Sequence, residues 1–563
     1  MTERDSAKDI FADDILRPDE SNFSILPQRV QWLHQQLSQS IGVRPGQRAV
    51  NPAFRYPDDN AEFPDAPQSF EAAARASMEA FEGCLRWHHP HALFNITPSP
   101  LIDTVALSAM TMLYNPNALW DITSGKFLLF EQRIVRHLAH LAGWRRAHAG
   151  GLFTSGGKAT LMYAVKSGIN RCDRAAVASG LNGDYVVLVS QNCHFSLESI
   201  CNFLGLGHRA CRRIRVDARN VIDVDALEYA FRGAAERGQK VAAIVLSGGG
   251  TTNMSVDPAG AVRRMLDRVC AEMSLAYTPH IHLDAVISWA WLAFEHNPDA
   301  GLERVPDRVR DKLRRTITAL REIRDGDSFG ADFHKTGLSP YSSSCYVAQD
   351  ATDLLRLDRE SGAEQFAEER YGDICHFDRT FENSRNCIGI ISAYQVLQRL
   401  GTSGIRSYLT RLLVTADVVR NVIADQYSEV FEVVNNSSLG FENVVHIDLS
   451  GSGRSFKELE LADPRVHQAH IASANRFREW LLRSEHCNRN PVPFIGFVPR
   501  YSDEQYKVGL PAFLMYSTSL HMSKAAAMEM LTRLRDAVHR YRLERVDDDV
   551  NVPSWDSRPQ PPK

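Results

Sequence analysis

No apolar run in the 563-residue sequence approaches the roughly 20 residues that a membrane-crossing helix needs. The first residues, Met1 to Asp14, are acidic and polar and lack the apolar core of a secretory signal. No two cysteines are spaced C-x-x-C. The ten of them lie scattered from Cys84 to Cys487, which points to buried free thiols and away from a disulfide framework or a zinc site. A cytoplasmic chain without bound metal is expected. Excess charge is missing too. With 64 Lys and Arg against 68 Asp and Glu, the net charge of −4 gives no general attraction to nucleic acid or to anionic membranes. The basic clusters at Arg145-Arg146 and from Arg209 to Arg215 read as solvated faces flanking strands. Internal repeats are absent as well. What remains is ordinary globular composition, 44% hydrophobic and 23% charged, in a chain longer than the roughly 300 residues at which single cores stop growing.

Residues 1–118 form a first part, a helical arm and substrate-entry segment, of which residues 1 to about 68 carry few periodic segments. A helix is predicted over 26–40, followed by a stretch with Pro52, Pro57, Pro64 and Pro67. Ser69 then offers an N-cap for a helix running to about residue 87. This part reads as a helical arm that packs on something else. Residues 119–400 have a different texture. Predicted strands at 185–190, 213–216, 241–247 and 280–285 alternate with helical patterns at 158–171 and 257–272. Such alternation argues for an α/β large domain whose mostly parallel sheet is covered on both faces. Ligands collect at the carboxyl ends of such strands. Residues 401–546, with strand-rich stretches at 430–450 and 493–499 before a helix at 523–542, read as a small α+β domain. The polar, proline-rich tail 547–563 is expected to be disordered.

Four segments at strand ends carry residues suited to chemistry. Thr154-Ser155-Gly156-Gly157-Lys158-Ala159-Thr160 opens a helix, and two glycines there let backbone N–H groups and the helix dipole meet a phosphate. It is no nucleotide loop. Gly157 stands where that motif needs lysine, and Ala159 replaces the magnesium-binding hydroxyl. Alone, such a turn is as often a plain loop. His194 follows the strand at 185–190; a lone histidine is usually structural. Asp284 ends an apolar strand, where a partly buried acid needs a cation or hydrogen bonds to stay ionised. A protonated pyridine nitrogen would serve. Finally, Lys335 stands in Asp332-Phe333-His334-Lys335, among apolar and aromatic residues that are expected to lower its pKa and so suit it to Schiff-base formation.

Taken in order (phosphate turn, histidine, acid, lysine), these segments resemble the pyridoxal-5′-phosphate (PLP) dependent amino-acid decarboxylases, the group containing glutamate, aromatic-amino-acid and bacterial tyrosine decarboxylases. The similarity runs from about His89 to Arg385. Its strongest piece is Asp332-x-His334-Lys335 followed by Gly337, Pro340 and Tyr341. His89-Pro90-His91, Gly250-Thr251-Thr252 and Glu382-x-Ser384-Arg385 support it, and 334–350 looks like the bacterial tyrosine enzymes. The resemblance implies an aminotransferase-like fold (fold type I) with a seven-stranded sheet, a homodimer, and a small-molecule amino-acid substrate. It also implies roles. Lys335 would hold PLP covalently, Asp284 would keep the pyridine nitrogen protonated, and His194 would stack on the ring. Ser155, Gly156, Gly157 and His334 would hold the phosphate, with Thr252 and Asp332 on the cofactor side. Asn95 and Tyr341 would face the substrate, in keeping with 87–91 as a substrate-access segment and not a metal site. In the loop after the lysine, Tyr371 would return a proton and yield an amine. If Phe366 stands there instead, oxidative chemistry to an aldehyde is implied. Two departures stand out: Val286 replaces a second alanine after the aspartate, and 513–516 lacks the arginine expected for the substrate carboxylate. Tyr341 favours an aromatic substrate, Asn95 an acidic one.

Overall fold

The computed structural model describes residues 15–39, 63–81, 83–297, 302, 305–355, 376, 379–484, 486–487, 490, 492–520 and 522–547. The tail expected to be disordered, the proline-rich stretch before residue 63, Phe366 and Tyr371 lie outside these.

Among the described residues, twelve strands form two sheets. Seven of them, β2 (Gly150–Thr154), β3 (Tyr185–Ser190), β4 (Cys211–Ile214), β5 (Lys240–Ser247), β6 (His280–Asp284), β7 (Ser328–Asp332) and β8 (Ser344–Ala348), pair in the order β2-β8-β7-β6-β5-β3-β4. β8 alone runs against the other six. The fold is therefore α/β with a mostly parallel seven-stranded sheet, as the resemblance implied. β3 (YVVLVS) and β5 (KVAAIVLS) are near-continuous apolar runs because helices cover both of their faces. Every residue of β3 is buried.

One covering helix, Gly157–Cys172, crosses the sheet so closely that its Gly168 cannot carry a side chain. A Cβ there would stand 2.4 Å from the carbonyl oxygen of Ala242 in β5. On the C-terminal side, β9 (Phe431–Val433), β10 (Glu442–Ile447), β11 (Phe494–Tyr501) and β12 (Leu510–Tyr516) form a second, antiparallel sheet. Its edge is completed by β1 (Ala92–Leu93), which pairs parallel with β11. A long helix, Ile388–Gln426, broken at Gly401 (φ 57°), joins the two parts. Among the described residues, no helix is long and apolar enough to cross a membrane.

Several boundaries differ from expectation. β3 falls where predicted, but β4 ends two residues early, because Val216 leaves the sheet to form a bridge with Ile222. Ser69 does cap its helix, accepting from Ala72 N–H at 3.2 Å. That helix ends at Met78, however, and passes through a 3₁₀ turn (Glu79–Phe81) to Gly83 at φ 78°, well short of residue 87. β2, β7, β8 and β12 were not anticipated. The sequences of β2, β7 and β8 (GGLFT, SFGAD, SCYVA) mix glycine, serine and alanine and offer no β-branched run.

Gly168→Ala is expected to lower stability by about 1–3 kcal/mol through the clash with Ala242, measured as a reduced urea midpoint with unchanged helical content.

Candidate active site

Parallel strands deliver their carboxyl ends to one edge of the sheet, and the sequence segments converge there. Lys335 lies in the short helix after β7, where its Nζ pairs with Asp332 Oδ2 at 2.8 Å. Asp332 is itself 1% exposed and fixed from two other sides. Ser344 Oγ donates to its Oδ1 at 2.6 Å, and Trp289 Nε1 donates to its backbone oxygen at 3.1 Å. Burial acts to lower the Lys335 pKa, but Asp332 outweighs it, so the ammonium form is favoured above the ordinary lysine value. A lowered pKa was the expectation from the apolar surroundings, and the carboxylate three residues upstream reverses it.

The glycine turn adjoins this pair. A Cβ on Gly157 would stand 2.8 Å from Asp332 Oδ2 and 3.2 Å from Val286 Cγ1, so the turn, the lysine's partner and Val286 meet with room only for glycine. Gly156 faces open space. The exposed Ser155 hydroxyl donates to Glu382 Oε1 at 3.3 Å.

Asp284 ends β6 and is 8% exposed. Its Oδ1 has no hydrogen-bond partner. Burial raises its pKa to about 6, opposed chiefly by Lys335. A buried acceptor left without a donor is costly, and a cationic N–H is the group that would satisfy it.

His194 is exposed in the loop after β3, its ring 4.2 Å from that of Phe195 and its Nδ1 2.9 Å from Ser196 Oγ. Withdrawal from water, then Lys335 and Arg213, lower its pKa to about 4, so the ring is neutral near pH 7. Arg213 corrects the sequence reading, which placed it in a solvated basic face. It donates to the backbone oxygens of Cys193 (2.9 Å) and His194 (3.0 Å), and pairs with Glu198 at 2.6 Å. Its guanidinium thus holds the turn that carries His194. Alternation of Arg212 and Arg213 along β4 gave no sign of which one turns inward to that loop.

His334 is buried, with Nδ1 3.3 Å from Ser343 N–H and Nε2 3.5 Å from Asp332 Oδ2. Its ring packs on Tyr341 at 4.2 Å between centroids. Tyr341 is 60% exposed, and its hydroxyl lies 3.0 Å from Thr97 Oγ1. That contact brings the Asn95–Thr97 segment to the Tyr341 side of the cleft; Asn95 is exposed and accepts from Ile96 N–H at 2.8 Å. Thr252 lies in the turn after β5, its oxygen accepting from Asn435 Nδ2 at 3.2 Å.

Sequence reasoning missed a second support. Glu131 is fully buried, and its carboxylate accepts from Arg385 (2.6 Å), His376 (2.7 Å) and the N–H of Phe153 (2.6 Å). Burial alone would raise its pKa, but Arg385 and His376 hold it near 2. The carboxylate pins β2 immediately before the glycine turn. Only Arg385 carried a signal, as part of a matched segment.

A lysine, two buried carboxylates and a glycine turn thus meet at one edge of the sheet. The model of the pyridoxal-dependent decarboxylase conserved domain matches residues 52–446, and the chain belongs to that family. It is 23% identical over 355 residues to the acidic amino acid decarboxylase of Mus musculus, covering 62% of this chain and 59% of that protein. It is also 23% identical over 294 residues to the L-2,4-diaminobutyrate decarboxylase of Acinetobacter baumannii, covering 49% and 52%. The matched stretch thus spans between half and three fifths of these relatives. Among solved structures, mouse CSAD in its apo form superposes with a TM-score of 0.69 at 17% identity, over 91% of this chain and 99% of that one. Pyridoxal 5′-phosphate is the family's cofactor. The residues present fit it: an open glycine turn at a helix N-terminus, a buried carboxylate lacking a donor, and a lysine between them.

Asp284 gives a test that needs no turnover. Below its ordinary value of 3.8 the carboxyl is protonated whether folded or unfolded; above about 6 it is ionised in both, and burial then opposes folding. In cofactor-free protein, Asp284→Asn should therefore stabilise by about 2–3 kcal/mol at pH 8 and by nothing at pH 3.5. Denaturant titrations at the two pH values check this.

Proposed function

We propose that the protein removes the α-carboxylate of an L-amino acid as CO₂ and releases the amine, and that its preferred side chain is aromatic. The observation that carries the decarboxylase reading is the buried, donor-less Asp284 Oδ1 on the same sheet edge as the Lys335–Asp332 pair. When bound, PLP supplies a ring that accepts the electron pair left behind by CO₂. Lys335 anchors that ring, and Asp332 at 2.8 Å holds its amine in position. Asp284 offers its negative charge to the ring nitrogen and keeps it protonated. Neutral His194, held by Arg213, provides a flat face that does not repel a cationic ring. The N–H groups of the Gly156–Gly157 turn take the phosphate, with Ser155 and His334 beside them.

The aromatic preference rests on the exposed ring of Tyr341 and on β12, where all seven residues are buried and none is arginine. An acidic substrate is the second reading, favoured by Asn95 and by the name of the mouse relative. We also assign the chain to a homodimer. Ile102, Val105 and Met112 expose an apolar stripe along the helix Ile102–Tyr114, whose start is tied to the lysine loop by Leu101 N–H to Leu338 O at 2.9 Å.

A panel of aromatic, acidic and diamino acids, assayed for CO₂, amine and peroxide, tests the reading. An aromatic substrate should lead by at least about tenfold in kcat/KM, with amine and CO₂ equal; each factor of ten is about 1.4 kcal/mol at the transition state. An acidic substrate in the lead establishes the second reading, and stoichiometric peroxide would establish aldehyde synthesis.

Borohydride should trap the cofactor on the peptide containing Lys335. A reduced adduct on any other lysine removes this site from consideration.

A further inference from the structure

We propose that a cavity bounded by the helix Gly157–Cys172, the segment 176–181 and the end of the helix Leu197–Phe203 is a second ligand site. It would take a small apolar molecule that carries one carboxylate. The cavity measures about 390 Å³, and residues 379–381 form its remaining side. None of the residues assigned to the cofactor or the substrate lines it.

The wall follows from the helical period. Met162, Lys166 and Ile169 fall on one face of the helix Gly157–Cys172, at spacings of four and three residues. Leu181, Phe203 and Leu204 add an apolar surface from the neighbouring segments. Phe203 and Phe381 are 65% and 69% exposed, and their rings meet edge to face with centroids 5.9 Å apart. Two large aromatic rings at one cavity, both left to water, are the surface that an apolar ligand would cover.

The charge on this wall is of one sign. Lys166 and Arg379 line the cavity, and no aspartate or glutamate among the described residues does. Lys166 is half-buried, and among the described residues it makes no hydrogen bond and no ion pair. Burial lowers its pKa, and no neighbouring acid opposes that shift. Glu382, next to Phe381 in the chain, is not part of the wall. Its oxygens accept from the hydroxyls of Ser155 (3.3 Å) and Tyr163 (3.4 Å). An ammonium half withdrawn into an apolar cavity gains most from an anion that brings its own apolar body. Such a ligand supplies the missing charge and covers the two rings together, whereas a small hydrated anion does only the first. Tyr163, which also lines the cavity, leads through Glu382 to Ser155, so the site adjoins the glycine turn without sharing a wall residue with it.

The test is calorimetric titration of the full-length holoenzyme with octanoate and, separately, with octanol, at constant ionic strength. One saturable equivalent of octanoate is expected, bound at least about tenfold more tightly than octanol. Lys166→Met should bring octanoate down to the affinity of octanol and leave octanol unchanged, while Lys166→Arg keeps the difference. Phe203→Ala, at the exposed ring, should weaken both probes several-fold. Absence of saturable octanoate binding overturns the proposal, as does equal affinity for the two probes in the unaltered protein. Octanoate binding that survives Lys166→Met places the probe elsewhere, the substrate cleft included, and overturns it too. Should Lys166→Met fail to fold, Phe203→Ala decides, and undiminished octanoate binding by that variant removes the site.

Discussion

The contact between Lys335 and Asp332 is the one on which the rest of the site depends. A primary amine inside a protein is easily neutralised by burial, and easily displaced. Here a buried carboxylate three residues earlier holds it charged and aimed. That carboxylate is in turn fixed by Ser344 from β8, the one strand running against its neighbours. The antiparallel strand is thus part of the chemistry as well as of the sheet. It brings a hydroxyl to the carboxyl end of β7 that no parallel strand of the sheet supplies there. A Cβ at position 157 would come equally close to Asp332, which explains why the turn must be glycine there. The glycine turn and the lysine thus meet at one side chain.

A second layer keeps these parts in place. Arg213 and Glu131 each use one charged group to collect several backbone partners from a loop that would otherwise be free to move. Both act on segments adjoining the cofactor edge, one beneath His194 and one before the glycine turn. Their charges are balanced locally, Arg213 by Glu198 and Glu131 by Arg385. The interior can then carry them without leaving Asp284 among uncompensated neighbours. The carboxyl edge and its supports answer different demands. The edge must remain chemically unsatisfied, and the supports must not.

The central strands and the motif order could be read from the sequence because β3, β5 and β6 are apolar runs ending in polar signals, and the lysine motif stands beside a short glycine- and proline-containing stretch. β2 and β7 escaped notice because glycine is required where a helix or side chain presses close, and glycine weakens a strand's signature. Arg213 and Glu131 were hidden for another reason. Their roles come from partners 15 to 254 residues away in sequence, and nothing local marks them. The direction of the Lys335 pKa was likewise misjudged, since flanking residue types say little about which one folds back. Asn95 and Tyr341 were grouped on resemblance, and the Thr97–Tyr341 contact supplies the reason they lie near each other.

The short strand β1 has a consequence for how the chain comes together. Ala92 and Leu93 pair with Phe494 and Ile495, closing a loop of about 400 residues. During synthesis the earlier partner emerges long before the later one exists. The small sheet therefore cannot acquire its edge until nearly the whole chain is available. Once made, β11 presents an open row of backbone donors and acceptors until Ala92 and Leu93 dock on it, the kind of edge that recruits foreign strands. The last assembly step joins the two regions that enclose the rest, so the N-terminal segment acts as a late clasp across the finished molecule.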